Sequence, residues 1–418
     1  MIHHQPKRSY RSLRVSLSVF LLSITATSAA NDGWSVDRCI SYAIDNNLKL
    51  QNLRLESGIA RVEAVDAATD FLPSVTADYC YIPGQGGAAG MNVVLPVFEG
   101  LSRINRLRFR RLNKSMSAYA EKAAENDLAL EVMEAYYRHY FDKQLHRLAG
   151  EQRGLSERYY ERTVCLAELG LKSDADLAAM KAGLQADLYR ETVKANDCSL
   201  SLLALKELMN TADDSLTITL PSELRPVPAD TTAPDELHLS SEAALPQFAI
   251  MRIKEQAASA SVAAAAGAVW PTVAVEFNLN PTHCPAVRNN YHIGLNVSFP
   301  LTERLRKISG IKKEKLRRQQ LKNDNERTRI AIHKEIDETL LAFRAATAEY
   351  LQAEQQLAAA EASWKAAEAK WSEGMISVFE LIETRNLYMQ AKTEIIRTLI
   401  RQTLAYRMLQ FYQTGSFL

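Results

Sequence analysis

Leu95-Pro96-Val97-Phe98-Glu99-Gly100-Leu101 is answered about 204 residues later by Phe299-Pro300-Leu301-Thr302-Glu303-Arg304-Leu305, and a repeat of that length is read before any single motif. The same offset sets the segment around Gly170, Ser173 and Leu177 against that around Gly374, Ser377 and Leu381. Upstream, Leu72-Pro73 pairs with Trp270-Pro271 at an offset of about 198. The sequence thus reads as two copies of one unit, each expected to hold two short strands and very long helices.

Proline placement parses the helices. After Pro96 no proline occurs until Pro221, and after Pro300 none occurs to the end. Proline breaks helix interiors, so two windows of about 120 residues are free to be helical. Both are rich in strong helix formers. Ala129, Val132, Met133, Tyr136 and Tyr140 recur at helical spacing, and so do Ala353, Leu357, Ala360, Ser363 and Ala367. Each window has one break in its middle. Gly170-Leu171-Lys172-Ser173 and Gly374-Met375-Ile376-Ser377 place a C-capping Gly before an N-capping Ser. Each window is therefore expected to be a helical hairpin.

The first ascending arm, residues 101–168, spans roughly 100 Å, and its return arm, Ser173 to Asn210, only about 57 Å. A helix over Ser240 to Val269, its regular start delayed by Pro246, would restore the length. In the second copy the return arm ends near Tyr412, and a first helix over Ser35 to Asp70 supplies the missing half. The expected division is a signal peptide at 1–30 and a first repeat at 31–238, with β-hairpin 72–98, helical hairpin 101–210 and linker 211–238. The second repeat, 239–418, holds β-hairpin 271–300 and helical hairpin 302–413.

The N-terminus carries Lys7, Arg8, Arg11 and Arg14, then an apolar run from Val15 to Ile24, then Ser28-Ala29-Ala30. That is a secretory signal pattern, and no Cys beside the cut suggests an acyl anchor. Net charge is +1, from 50 Lys and Arg against 49 Asp and Glu, which gives no reason to expect a nucleic-acid partner. No mature stretch approaches the ~20 apolar residues of a spanning helix. If the chain crosses a membrane, it does so with strands.

Four strands fit that role. Val273, Val275, Phe277 and Leu279 alternate with polar neighbours, as do Tyr291, Ile293, Leu295 and Val297. In the first copy Val75, Ala77, Tyr79 and Tyr81 alternate, and Met91, Val93, Leu95 and Val97 follow the glycine-rich turn Pro83 to Gly90. Aromatics gather at the strand ends, with Phe71, Phe98, Trp270 and Phe299 at one side and Tyr81 and Tyr291 at the other. Length, alternation and aromatic ends suit an outer-membrane barrel. Four strands cannot close one, and an open edge in hydrocarbon leaves backbone groups unsatisfied. Other chains must complete it. Two chains give eight strands and a filled interior, whereas three give twelve with room for a lumen, so a conducting pore favours a trimer. A different class of reading is a soluble periplasmic coiled-coil protein, structural or adaptor-like, with hairpins packed on its helices.

Several pieces together resemble the TolC-type outer-membrane efflux proteins over essentially the whole mature chain. They are Trp34-Ser35 with Cys39-Ile40-Ser41-Tyr42-Ala43 and Asn46-Asn47-Leu48, Leu72-Pro73-Ser74, Pro96-Val97-Phe98-Glu99-Gly100 with Arg103, and the two Gly-containing hairpin turns. Arg304 stands where the first copy has Gly100. The resemblance implies a mainly α fold with a small β part. Long coiled-coil helical hairpins form an α-barrel, and four transmembrane strands per chain complete a trimeric twelve-stranded β-barrel in the outer membrane. It also implies a passive exit duct for a tripartite efflux pump or a type I secretion system, served by a periplasmic adaptor and an inner-membrane transporter.

No catalytic or metal-binding constellation is visible. His139, His146, His292 and His333 lack a Ser or Cys partner in any recognisable motif, and Cys39, Cys80, Cys165, Cys198 and Cys284 show no metal spacing. No cofactor and no enzymatic activity are expected, and the cysteines read mostly as small buried apolar residues. Selectivity in a pore comes from rings of like charge. Glu380 and Glu383 share a helix face, and Asp176 is the first-copy counterpart of Glu380. The resemblance implies that these three line the periplasmic constriction, although acids in a first helical turn need no channel role. It also implies adaptor docking at Gly170, Leu171 and Ser173 and at Gly374, Met375 and Ser377. The basic runs Arg103, Arg106, Arg108, Arg110, Arg111 and Arg304, Arg306, Lys307, Lys312, Lys313 read as solvated faces or as contacts to anionic outer-membrane lipid.

Overall fold

The computed structural model describes residues 34–83, 86–212, 218, 226, 233–280, 290–301 and 303–417. The signal segment, most of the linker and Cys284 lie outside the described residues. Helices α1 (Val36–Asn46) and α2 (Leu48–Thr69) lead into strands β1 (Ser74–Ile82) and β2 (Gly86–Glu99). The long α3 (Ser102–Glu168) and α4 (Asp174–Met209) follow. The order then repeats as α5 (Pro234–Ala244), α6 (Pro246–Gly267), β3 (Thr272–Asn280), β4 (Asn290–Ser298), α7 (Arg304–Ser372) and α8 (Val378–Thr414). With 67 and 69 residues, α3 and α7 are each about 100 Å long.

Three expectations need correction. The first helix is two helices, because Asn47 breaks it: its Oδ1 accepts the Lys49 and Leu50 amides at 2.9 and 3.2 Å, and its Nδ2 donates to Leu208 O at 3.0 Å. The helix expected over Ser240 to Val269 is likewise two, since Pro246 removes a helical N–H and opens α6 as its first residue. Pro234 opens α5 in the same way, so the first turn of α5 occupies the end of the expected linker. The glycine-rich stretch is also less of a turn than its composition suggests. Gly86 to Gly90 pair with Ile82 to Asp78 as strand, because a ladder is made by backbone groups.

The strands form one antiparallel sheet in the order β1-β2-β3-β4. Its register aligns the alternation of all four. Val75, Val93, Phe277 and Ile293 stand in one row, and Ala77, Met91, Leu279 and Tyr291 in another. Thr76, Asn92, Asn278 and His292 form a row on the opposite face. There Asn296 donates to Glu276 at 3.0 Å. A bulge between Pro96 and Phe98 lets β2 carry a proline that cannot donate. Among the described residues, β1 pairs with β2 alone and β4 with β3 alone. Both outer edges are open.

The corner from β2 into α3 turns on two left-handed residues, Gly100 at φ 59° and Leu101 at φ 65°. Glu99 closes the corner by accepting Arg103 at 2.7 Å and Arg106 at 3.0 Å. Arg110 pairs with Glu63 at 2.6 Å, so part of the first basic run is spent within the chain. Gly100 lies directly against Gly267 at the end of α6, and a Cβ at either would enter the other's backbone.

Two cores hold the middle of the molecule. One packs Cys39, Ile40 and Ala43 of α1 against Val132, Met133, Tyr136 and Tyr140 of α3 and Leu205 and Met209 of α4. The other packs Leu237 of α5 against Ile336, Leu340 and Phe343 of α7 and Leu409 of α8. Cys39 is the buried cysteine among those described. Cys198 is half-buried, and Cys165 is exposed in the last turns of α3; all three are free. No described helix is long and apolar enough to cross a membrane.

Candidate functional site

Both hairpin tips are built alike. Gly170 (φ 71°) and Gly374 (φ 77°) adopt the left-handed conformation that glycine accepts without penalty. Leu171 N–H reaches back to Leu166 O and Met375 N–H to Lys370 O, each at 2.9 Å, which completes a Schellman cap. Ser173 and Ser377 then open the return helices, their Oγ atoms accepting Asp176 N–H at 3.1 Å and Glu380 N–H at 3.2 Å. The capping role expected for these turns is present. Leu169, Leu171, Met375 and Phe379 are all strongly exposed at the two tips.

The tips lie side by side. Tyr159, Met180, Trp371, Val378 and Leu381 form a small core between the first hairpin and the second. Tyr159 meets Trp371 edge-on with ring centroids 5.3 Å apart, and its hydroxyl donates to Glu368 at 2.7 Å. The Arg162 guanidinium lies over the other side of the cluster, 5.3 Å from the Trp371 ring centre.

Glu380 and Glu383 are exposed one turn apart on α8, and neither enters an ion pair among the described residues. Asp176 is half-buried and differently employed. Its Oδ2 accepts Ser173 Oγ at 2.9 Å and the Ser173 amide at 3.3 Å, completing a capping box. The structure therefore gives Asp176 a local duty that Glu380, its counterpart, does not share.

About three turns above the tips lies a cluster that motif reading misses. Arg385 of α8 and Asp187 of α4, 3% and 2% exposed, meet at 3.0 Å. Ser156 of α3 donates to Asp187 Oδ2 at 2.5 Å and accepts from Arg385 Nη1. Gln152 donates to Asp187 Oδ1 at 2.9 Å and to Asn386 at 3.3 Å, and Arg190 adds a further bond to Asp187 at 2.6 Å. Burial pushes the Arg385 guanidinium below its ordinary range, opposed by the attraction of Asp187. Arg385 Nε is left without a partner. Three helices from both repeats are thus joined by one sealed ion pair. A signal for it existed: Val378, Leu381, Arg385 and Tyr388 are the buried stripe of α8, and a charge on such a stripe requires a partner.

Among the described residues, the histidines form no catalytic arrangement. His139 is buried against Ser201 Oγ at 3.2 Å. His238 and His333 stack with centroids 4.4 Å apart, beside Asp337 and Glu242 respectively. No group of residues that could hold a metal is found among the described residues.

Residues 240–412 match the family described as outer membrane efflux protein, which bears out the resemblance read from the sequence. No curated protein matches the sequence. The fold is similar to that of the Campylobacter jejuni CmeC outer membrane channel, at 14% identity and a TM-score of 0.78, covering 98% of this chain and 94% of that one. It is similar to the open state of the Neisseria gonorrhoeae MtrE outer membrane channel, at 16% identity and 0.76, covering 93% and 91%. The Vibrio cholerae outer membrane protein VceC matches at 14% identity and 0.76, covering 92% and 97%.

Proposed function

We propose that this chain, an outer membrane efflux protein by its second repeat and an outer-membrane channel by its fold, is one third of a transenvelope export duct. The observation that carries the reading is the register of the sheet. It gathers Val75, Val93, Phe277, Ile293 and their neighbours on one face and Thr76, Asn92, Asn278 and His292 on the other. Among the described residues no helix covers the apolar face, where Tyr79, Ile293 and Leu295 are each about two-thirds exposed or more. A bare apolar face of that extent marks contact with lipid or protein. The open edges of β1 and β4 call for neighbouring copies, and three copies make a twelve-stranded barrel with a wet interior.

The helices then form a tunnel in the periplasm, reached by substrate from an inner-membrane transporter through an adaptor at the tips. Leu171 and Met375, exposed beside Gly170 and Gly374 and ahead of Ser173 and Ser377, offer that adaptor its apolar contacts. Asp176, Glu380 and Glu383 narrow the periplasmic end and favour cations there. The chain is a passive conduit and carries out no chemistry. A soluble periplasmic role would leave the sheet's apolar face without a partner.

The test is fractionation followed by reconstitution. The protein should sediment with outer membranes, migrate as a heat-modifiable trimer, and give discrete conductance steps in planar bilayers. Recovery in the soluble periplasmic fraction would overturn the reading.

A further inference from the structure

The two corners that join sheet to helix are closed differently. At the first, Glu99 holds Arg103 at 2.7 Å and Arg106 at 3.0 Å, and the Arg103 guanidinium lies 5.7 Å from the Phe71 ring centre. Pro96, Val97 and Ile104 line what is left there, a recess of about 80 Å³. At the offset of about 204 residues the second corner keeps the apolar members, as Pro300, Leu301 and Ile308, but not the ion pairs. Glu303, in the place of Glu99, meets Lys307 at 3.8 Å, and Gly310 stands where the first corner has Arg106. The second corner is accordingly open, as a groove of about 610 Å³.

That groove has an apolar wall and a charged mouth. Trp270, Phe299, Leu301, Ile308 and Ile311 line it together with Arg304. Trp270 and Phe299 are each 62% exposed and Leu301 84%. Phe299 and Leu301 follow Val297 at every second position, so the wall continues the apolar face of β4 beyond the end of the strand. Arg304 stands where the first corner has Gly100. It is exposed, and like Arg306 it enters no ion pair among the described residues. An apolar cleft with an unpaired guanidinium at its mouth is complementary to an amphiphile with an anionic head, since arginine matches phosphate with charge-assisted, bidentate bonds. Tryptophan beside it suits the level of lipid headgroups.

We infer that this groove binds one anionic glycerophospholipid per chain, with its phosphate on Arg304 and the start of an acyl chain against Leu301, Ile308 and Ile311. This rests on the membrane reading above, which sets the helical end of the sheet among the inner-leaflet headgroups. The lipid supplies at the second corner the anion that Glu99 supplies at the first. The first corner, already neutralised and nearly filled, binds none, so the site belongs to one repeat alone. A free phosphate would satisfy Arg304 but leave the apolar wall in water, whereas a lipid answers both. The volume agrees, because sites for small ligands span ~300–1,000 Å³.

The experiment is native mass spectrometry of the full-length protein, extracted from membranes in detergent and titrated with dioleoyl phosphatidylglycerol. One lipid per chain should be retained under activation that strips dioleoyl phosphatidylcholine. Arg304→Gln should weaken retention about tenfold, as the loss of one charge-assisted contact. Ile308→Trp, which fills the groove and keeps the charge, should weaken it as well. Lys313→Gln removes an exposed charge outside the groove and should leave retention unchanged. An equal loss with Lys313→Gln would reduce the site to a diffuse basic collar and overturn it. Retention indifferent to Ile308→Trp, or abolished by millimolar inorganic phosphate, would leave an anion site without a lipid and overturn it too. A membrane-extracted protein that retains no phosphatidylglycerol, as when a neighbouring copy fills the groove, overturns the site and leaves the membrane reading standing. Absence of the protein from the membrane fraction overturns both.

Discussion

Arg385 and Asp187 form an ion pair at 3.0 Å with both side chains sealed from solvent, and it is the one such buried pair among the described residues. It ties α8, in the second hairpin, to α4 and α3 in the first. Breaking a buried pair strands a charge, whereas replacing both members by apolar groups is often tolerated.

Arg385→Met is therefore expected to destabilise the helical region by about 3 kcal/mol, at the low end of the range for buried pairs, because Arg190 still neutralises Asp187. The double variant with Asp187→Leu should recover most of that loss. Urea unfolding followed by far-ultraviolet circular dichroism measures both. Equal destabilisation by the single and double variants would show that packing, not charge, governs the site.

Gly267→Ala should strongly destabilise the fold, because its methyl group would enter the Gly100 carbonyl and the start of α3. Gly154→Ala, where an added Cβ meets nothing within 4 Å, should instead stabilise α3 by about 0.5–1 kcal/mol through reduced backbone entropy in the unfolded chain. Thermal melts of the two variants should move in opposite directions.

His139 gives the pH dependence a sign. Burial, aided by the charge of Lys143, holds its imidazole below the ordinary 6.5. The unfolded chain then binds this proton more tightly than the folded one, so stability falls as pH drops below about 6.5 and continues to fall until the lower, folded value is passed. His139→Gln should flatten that part of the stability profile. A profile between about pH 7 and 5 with the same slope in the variant would contradict the assignment.

Glu380→Gln and Glu383→Gln together should lower cation preference and relieve block by divalent cations in single-channel recordings. Ser173→Ala should cost about 1 kcal/mol of stability through its cap while leaving selectivity unchanged. Selectivity that survives the loss of both carboxylates would remove them from the gate.

At the tip, a bulky residue in place of Gly374 should abolish export while trimers still reach the outer membrane, since an added Cβ there meets nothing within 4 Å and the strain of a side chain at φ 77° stays within the exposed turn. Export assays beside heat-modifiable gel migration separate the two effects. Loss of the trimer as well would assign the turn a folding role only.

The features legible in the sequence were those encoded by local periodicity and punctuation. Pro96, Pro221 and Pro300 bounded the long helices, Gly170 and Gly374 marked their turns, and the alternation from Val273 to Leu279 marked a strand. The break at Asn47 is not legible, because an Asn within helical periodicity interrupts a helix only when its side chain caps the following turn and, here, reaches Leu208. The extent of β2 through Gly86 to Gly90 was hidden because glycines carry no alternation to read. Asp187, Arg385 and Ser156 sit on three helices far apart in sequence, and only packing reveals that they share one pocket. The local duty of Asp176 is legible in its spacing from Ser173, which is that of a capping box.

The raw edges of β1 and β4 impose an order on events. Local contacts let the helices form early, while strand pairing between separate molecules waits on encounter. Until then each newly made subunit carries two unsatisfied ladders and an uncovered greasy sheet, the features that seed edge-to-edge aggregation. On the trimer proposed above, maturation of this chain is a race between finding two siblings and finding anything else. Its yield is governed by the rate of supply and by whatever shields the strands in transit, as much as by the stability of the finished object.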